Sequence, residues 1–150
     1  MSDFADIADE FHQRVSTTIW ATLATVDTAG RPRTRIVHPV WDGPNGWMGT
    51  RSGTLKVRHL EQTPYVSFMY WDPRHQQVSI DATATVCTDL ASRQEAWRAM
   101  AAPDEPYGYD PATIWPAGAE DDGFTAVRLV ANRVTIFAMP PIIWTRPTVD

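Results

Sequence analysis

The segment Thr50-Arg51-Ser52-Gly53-Thr54-Leu55-Lys56 gathers three hydroxyls and two cations around a glycine. Read as a strand that turns at Gly53 and enters a helix, it offers hydroxyls, helix-start N–H groups and positive charge to a small anion, a phosphate monoester above all. The same residues also suit a plain helix cap with incidental charges, and spacing alone leaves both readings open. Lys56 is the single lysine of the chain, beside twelve arginines. Arginine enrichment also follows from nucleotide composition, so the lysine stands out more than the arginines. Upstream, Arg33 and Arg35 alternate on one face of an expected strand, which is either an exposed edge or the wall of a cleft.

Other constellations are absent from the sequence. His12, His38, His59 and His75 lack metal-ligand spacing, and there is no CxxC, no GxSxG and no P-loop pattern. Each histidine reads as a hydrogen-bonded structural or surface residue. Cys87, the lone cysteine, reads as a small core residue. No metal site is expected.

The 150 residues carry a net charge of -5, which disfavours nucleic acid and anionic membranes as partners. The charge is uneven. Residues 31–74 hold seven basic groups (Arg31, Arg33, Arg35, Arg51, Lys56, Arg58, Arg74) against Asp42, Glu61 and Asp72. A basic block inside an acidic chain points to a small anionic ligand. The acidic start (Asp3, Asp6, Asp9, Glu10), the single cysteine and the lack of a long apolar run predict a cytoplasmic protein. The length suits one domain over 1–150.

These residues need elements to position them. Phe4, Ile7, Ala8, Phe11 and Val15 predict an amphipathic helix over 3–15. Strands are predicted over 18–26 and 32–41 around the turn Asp27-Thr28-Ala29-Gly30, then over 47–50 after a second turn at 42–46. A two-turn helix follows over 55–62, with Thr54 or Ser52 available as its cap. Tyr65–Trp71 predicts a strand with both faces buried, and 77–86 a strand alternating Val78, Ile80, Ala82, Ala84 and Val86 with polar residues. A helix over 90–100 and a long acidic, proline-rich loop over 102–123 precede two strands, 124–130 and 134–139, joined by a hairpin at Ala131-Asn132-Arg133. About seven short strands and three helices predict a mainly β fold, an antiparallel barrel, closed or half closed, with flanking helices.

Taken in order, Ala21-Thr22-Leu23-Ala24-Thr25, DTAGRP, Arg35-Ile36-Val37, TRSGTLK, VSFMYWDP and the QQV at 76–78 resemble the pyridoxamine 5'-phosphate oxidase-like, FMN-binding split-barrel superfamily. The resemblance covers roughly half the chain. It implies a six- to seven-stranded split β-barrel that forms a homodimer, with the cofactor at the subunit interface and a small-molecule substrate. It implies that Arg35, Ile36 and Val37 line the flavin ring, that Thr50, Thr54 and Lys56 hold its phosphate with Ser52 and Arg51 beside them, and that Gln77 lies near the ring. Trp41, Trp47 or Trp71 would wall the ring slot. The expected activity is flavin-dependent oxidoreduction through FMN. On the same fold the alternatives are a deazaflavin-dependent reductase, whose longer tail would use Arg31, Arg33 and Arg58, and a non-catalytic flavin- or haem-binding protein. Pyridoxamine phosphate oxidases carry an arginine before the lysine, where this chain has Leu55, and longer C-terminal segments with substrate-phosphate arginines. Pyridoxamine phosphate is therefore not the expected substrate.

Overall fold

In a computed structural model, residues 3–148 are described. Asp3 caps a single 3-10 turn, Phe4–Asp6, by a capping box with Asp6, and α1 follows over Ala8–Thr18. Phe11, Arg14 and Val15 form its buried face. The helix runs three residues past the Val15 that the apolar spacing marks, and ends where Ile19 takes a φ of 67°. The first strand therefore starts at Ala21 rather than at Thr18.

β1 (Ala21–Val26) and β2 (Pro32–Val37) form the expected hairpin, with Gly30 at a φ of 78° supplying the turn. The strand predicted over 32–41 is broken, because Pro39 has no N–H for a ladder; β3 (Val40–Asp42) resumes after it and pairs with β4 (Asn45–Arg51). α2 spans Leu55–Gln62 as predicted. β5 (Tyr65–Tyr70) is buried on one face only, through Val66, Phe68 and Tyr70; Tyr65 and Met69 are exposed, against the expectation that both faces were covered. β6 (Val78–Cys87) keeps the alternation through Ala84, then slips so that Cys87 rather than Val86 is buried. α3 (Leu90–Ala101) is capped by Asp89.

The predicted hairpin at 131–133 does not form. One long strand, β7 (Phe124–Ile136), runs through it, and Asn132 is a bulge between Ala131, opposite Ala82, and Arg133, opposite Asp81. The Asn132 amide donates to Thr83 Oγ1 at 3.0 Å. An eighth strand, β8 (Ile142–Thr145), lies beyond the last predicted strand. Its C-terminal end is held by Arg146, which donates to the carbonyls of Ala131 at 2.8 Å and Pro44 at 3.2 Å.

The sheet order is β2-β1-β5-β6-β7-β4-β3, all neighbours antiparallel, with β8 also on β7. β4 pairs with Phe124–Val130 and β8 with Arg133–Ile136 on β7. The two end strands, β2 and β3, are consecutive in sequence yet unpaired, which splits the barrel there. Leu23, Phe68, Tyr70, Ile80, Val127 and Leu129 fill the interior, each such side chain contributing about 1.5–3 kcal/mol on burial. Phe11 of α1 packs edge-on against Trp41. Arg14 is buried with its charge satisfied: Nη1 donates to the carbonyls of Gln77 (3.1 Å) and Phe137 (3.0 Å), and Nε meets Glu10 at 2.7 Å. Among the described residues no helix is long and apolar enough to cross a membrane.

Candidate functional site

Strand alternation on β4 turns Met48 and Thr50 inward and leaves Arg51 exposed. Gly53, at a φ of 72°, folds the chain back, and α2 begins at once. Lys56 in the first turn therefore lies over the strand end, and its Nζ donates to Thr50 Oγ1 at 2.6 Å. Thr54 occupies the cap position but does not cap; its hydroxyl is buried without a partner among the described residues. The Ser52 hydroxyl is taken up by Thr125 Oγ1 at 2.8 Å, on β7.

Arg35 on β2 completes the cluster from the other side. Burial, then the neighbouring Arg35 guanidinium, pushes the Lys56 ammonium below its usual range, and burial lowers Arg35 as well. Among the described residues neither cation pairs with a carboxylate, whereas Arg31 and Arg33 both sit on Asp27 and Arg74 sits on Asp72. The basic block thus resolves into three arginines paired with carboxylates, two of them sharing Asp27, two exposed ones unpaired among the described residues (Arg51, Arg58) and one convergent pair.

Arg35 is oriented by a buried relay that the sequence did not reveal. Its Nη1 donates to Thr25 Oγ1 at 2.5 Å, and Thr25 lies 2.9 Å from His59 Nδ1. Because a guanidinium only donates, the Thr25 proton is free to point at Nδ1. The available signal was spacing: Lys56 and His59 are three apart, on one face of α2.

Beside the cation pair opens a cavity of about 500 Å³. Ile36, Val37 and Lys56 line one side and Trp20 another; His38, Tyr109, Ile114 and Trp115 complete it. The 102–123 loop is therefore a wall of the cavity. It is pinned by Tyr107, whose hydroxyl accepts from the Trp41 N–H at 2.7 Å and donates to the Trp41 carbonyl at 3.3 Å, and by Trp115 Nε1, which donates to the Gly123 carbonyl at 3.0 Å. The tryptophans expected at the slot lie elsewhere: Trp41 and Trp47 are in the core and Trp71 is exposed on the sheet surface. A second, more polar groove of about 700 Å³ runs between β2 and α2, lined by Asp27, Arg33, Arg35, Leu55 and His59.

Of the predicted residues the fold unites Arg35, Ile36, Val37, Thr50, Thr54 and Lys56. Arg51 is exposed, the Ser52 hydroxyl is engaged by Thr125, and Gln77 stands just before β6. The Gln77 backbone carbonyl accepts from the Phe137 N–H at 3.0 Å and from Arg14 Nη1 at 3.1 Å. Among the described residues no three His, Cys, Asp or Glu side chains converge as a metal site. The arrangement fits a phosphorylated planar cofactor: two uncompensated, half-buried cations and an unpartnered Thr54 hydroxyl at one end, an apolar aromatic cavity at the other.

Comparison with known proteins places this geometry. A dihydrophenazinedicarboxylate synthase of Pseudomonas chlororaphis is 38% identical over 77 residues, covering 50% of this chain and 34% of that protein. The chain thus matches about a third of that relative's length. A general stress protein 26-related protein of the pyridoxinephosphate oxidase family from Clostridium acetobutylicum superposes with a TM-score of 0.76 at 18% identity, covering 96% of both chains. A pyridoxamine 5'-phosphate oxidase-related, FMN-binding protein of Nostoc punctiforme gives 0.63 at 18% identity, over 98% of this chain and 92% of that one. The family profile described as pyridoxamine 5'-phosphate oxidase matches residues 7–137. The chain therefore belongs to the pyridoxamine 5'-phosphate oxidase family.

Proposed function

We propose that this protein is an FMN-dependent oxidoreductase that works as a homodimer on a small planar molecule. The observation that carries the reading is the convergence of Arg35 on Lys56, neither with a carboxylate partner among the described residues, where Lys56 lines an aromatic cavity. A flavin phosphate is a dianion that fits this pair, with Thr50 and Thr54 as hydroxyl partners, while the edge of the ring would run along Arg35–Val37. Bound FMN would supply the hydride or electron transfer. The chain supplies binding, orientation and, through Tyr109, Ile114 and Trp115, a dry wall. The relative from Pseudomonas chlororaphis is named for a dihydrophenazine dicarboxylate, a flat fused ring, and the aromatic lining suits a substrate of that shape.

The dimer would cover the exposed apolar side chains Trp20, Ile36, Tyr65, Met69 and Trp71. Gln77 would then reach a flavin across the interface. A deazaflavin is the second reading, favoured by the groove between β2 and α2 that would take a longer tail. Asp27 draws both Arg31 and Arg33 onto one carboxylate, which lessens the positive charge they offer a long anionic tail and supports the shorter FMN.

The test is an absorbance spectrum of the purified protein followed by titration with FMN, a deazaflavin and haem. FMN is expected to bind most tightly, and NADH or NADPH to reduce it. Failure to bind FMN sinks the proposal; tighter binding of deazaflavin selects the second reading, and tighter binding of haem, or FMN that no reductant turns over, selects a carrier.

A further inference from the structure

His38 stands in the gap between β2 and β3 and is half-buried. Its Nε2 lies 2.6 Å from the Tyr107 carbonyl, which can only accept, so Nε2 carries a proton. Its ring packs against Trp20 (centroids 5.1 Å apart) and Tyr109 (4.8 Å). Burial pulls the imidazole below its ordinary range, partly opposed by the Tyr107 hydrogen bond, so at neutral pH the ring is uncharged and Nδ1 is bare. That lone pair has no partner among the described residues, and it is not among the polar atoms sealed from solvent. His38 lines the cavity. Its neighbours there are apolar or aromatic, apart from Lys56 at the phosphate end and Glu105 from the loop.

We propose that His38 is the cavity's polar recognition point, its Nδ1 accepting a hydrogen bond from an N–H or O–H on the edge of a flat aromatic ligand. The inference rests on the reading that the cavity takes a small planar molecule, and it names that molecule's class: aromatic, uncharged at the contacting edge, and a donor there. Aromatic walls bind any flat ring; a fixed acceptor from which the bound ring excludes water discriminates a donor from its methylated analogue, because the analogue leaves the lone pair unpaired.

The experiment compares 2-naphthol with 2-methoxynaphthalene by calorimetry at neutral pH on the protein as purified. Wild type should bind the naphthol about tenfold more tightly, the scale of one hydrogen bond. His38→Gln keeps an N–H for the Tyr107 carbonyl but has no acceptor where Nδ1 stood, so it should bind both probes alike. His38→Asn does the reverse and should retain the preference while loosening the loop. Equal binding of both probes by wild type, binding of neither, or an undiminished preference in His38→Gln would overturn the proposal. Ring 15N spectra of wild type add a check that needs no variant: Nδ1 should be unprotonated and shift on addition of 2-naphthol, and an unmoved resonance overturns the proposal equally. None of these measurements uses added flavin, so a failure to bind FMN is a separate result.

Discussion

Lys56 Nζ donates to Thr50 Oγ1 at 2.6 Å across the turn between β4 and α2, while the like charge of Arg35 faces the same ammonium. The apo protein thus holds two cations together that only an anion would relieve. Lys56→Ala is expected to weaken FMN binding by about 1.5–3 kcal/mol, the range for a hydrogen bond to a charged group, read by flavin fluorescence titration. Lys56→Met is expected to do the same and to raise the melting temperature of the apo protein. The sign follows from the lowered folded pKa: the charged lysine destabilises the fold in full below that pKa, and the penalty vanishes as pH rises to the unfolded value of 10.5. The advantage of Lys56→Met should therefore shrink as pH rises through the lowered folded pKa toward 10.5. Saturating FMN should reverse the order, because it stabilises wild type more. An apo variant no more stable than wild type at pH 7 would refute the strain.

Thr25 is almost fully buried between Arg35 and His59. Thr25→Val keeps the shape but leaves a guanidinium N–H and an imidazole nitrogen without their partner, a cost of about 1–3 kcal/mol. For a chain of this size that is a fall in melting temperature of a few degrees. FMN affinity should drop as well, since Arg35 loses the contact that aims it. A variant that melts lower but binds FMN normally would show that Arg35 needs no such guide.

The turn proposed to bind the anion was legible as a strand, glycine and helix start because these are contiguous, and α2 lies over Leu55–Gln62 as read. The cavity was not, because its walls come from the residue before β1, from β2 and from a loop some seventy residues later, and no short-range pattern links Trp20, Val37 and Trp115. Strand boundaries failed where one residue type outweighed periodicity. Pro39 broke an otherwise continuous strand, and Asn132, a turn former by type, was absorbed as a bulge because β6 pairs with β7 on both sides of it. Burial on β5 was misread for a related reason. Tyr65, Met69 and Trp71 are apolar yet exposed, which hydropathy alone cannot distinguish from core.

Tyr107 holds the cavity loop through two contacts to the Trp41 backbone. Tyr107→Phe leaves the buried Trp41 N–H unpaired, an expected loss of about 1–3 kcal/mol that falls first on the loop. Limited proteolysis should cut 102–123 faster than in wild type, with hydrogen exchange rising there and not in β5 or β6. Uniform acceleration across the sheet would show that the loop is no separate unit.

Asp27 closes the β1–β2 turn, with Oδ1 accepting from the backbone N–H groups of Ala29 and Arg31 and Oδ2 from the side chains of Arg31 and Arg33. The Arg31 backbone N–H is the main reason its carboxyl titrates at about 2 rather than 3.8. A depressed folded pKa means stability that is complete above 3.8 and lost as pH falls through about 2. Asp27→Asn should remove that part of the acid dependence, measured by denaturant unfolding between those limits. It should also release Arg31 and Arg33 over the β2–α2 groove and raise affinity for an oligoanionic deazaflavin tail relative to FMN. An unchanged ratio would show that the groove does not meet such a tail.

Met69 lies at the centre of the outer sheet face, opposite Thr22 on β1 and Ser79 on β6, with Ile36 next in the row; Ile36 is 63% exposed and Met69 40%. Tyr65 and Trp71 flank it along β5, at 69% and 53%. A face of this composition calls for a cover, and the proposed dimer supplies one. Met69→Glu would place a carboxylate in the middle of such an interface while leaving the inward Phe68 and Tyr70 untouched. Analytical ultracentrifugation should then find wild-type dimers and Met69→Glu monomers of unchanged circular dichroism. If Gln77 reaches the flavin only from a partner subunit, the monomer should also bind FMN more weakly, although Lys56 and Arg35 are intact in it. Lys56→Ala should lose FMN and remain a dimer. A monomeric wild type would remove the dimer from the proposal, and a monomeric Met69→Glu with full FMN affinity would confine the cofactor site to one chain.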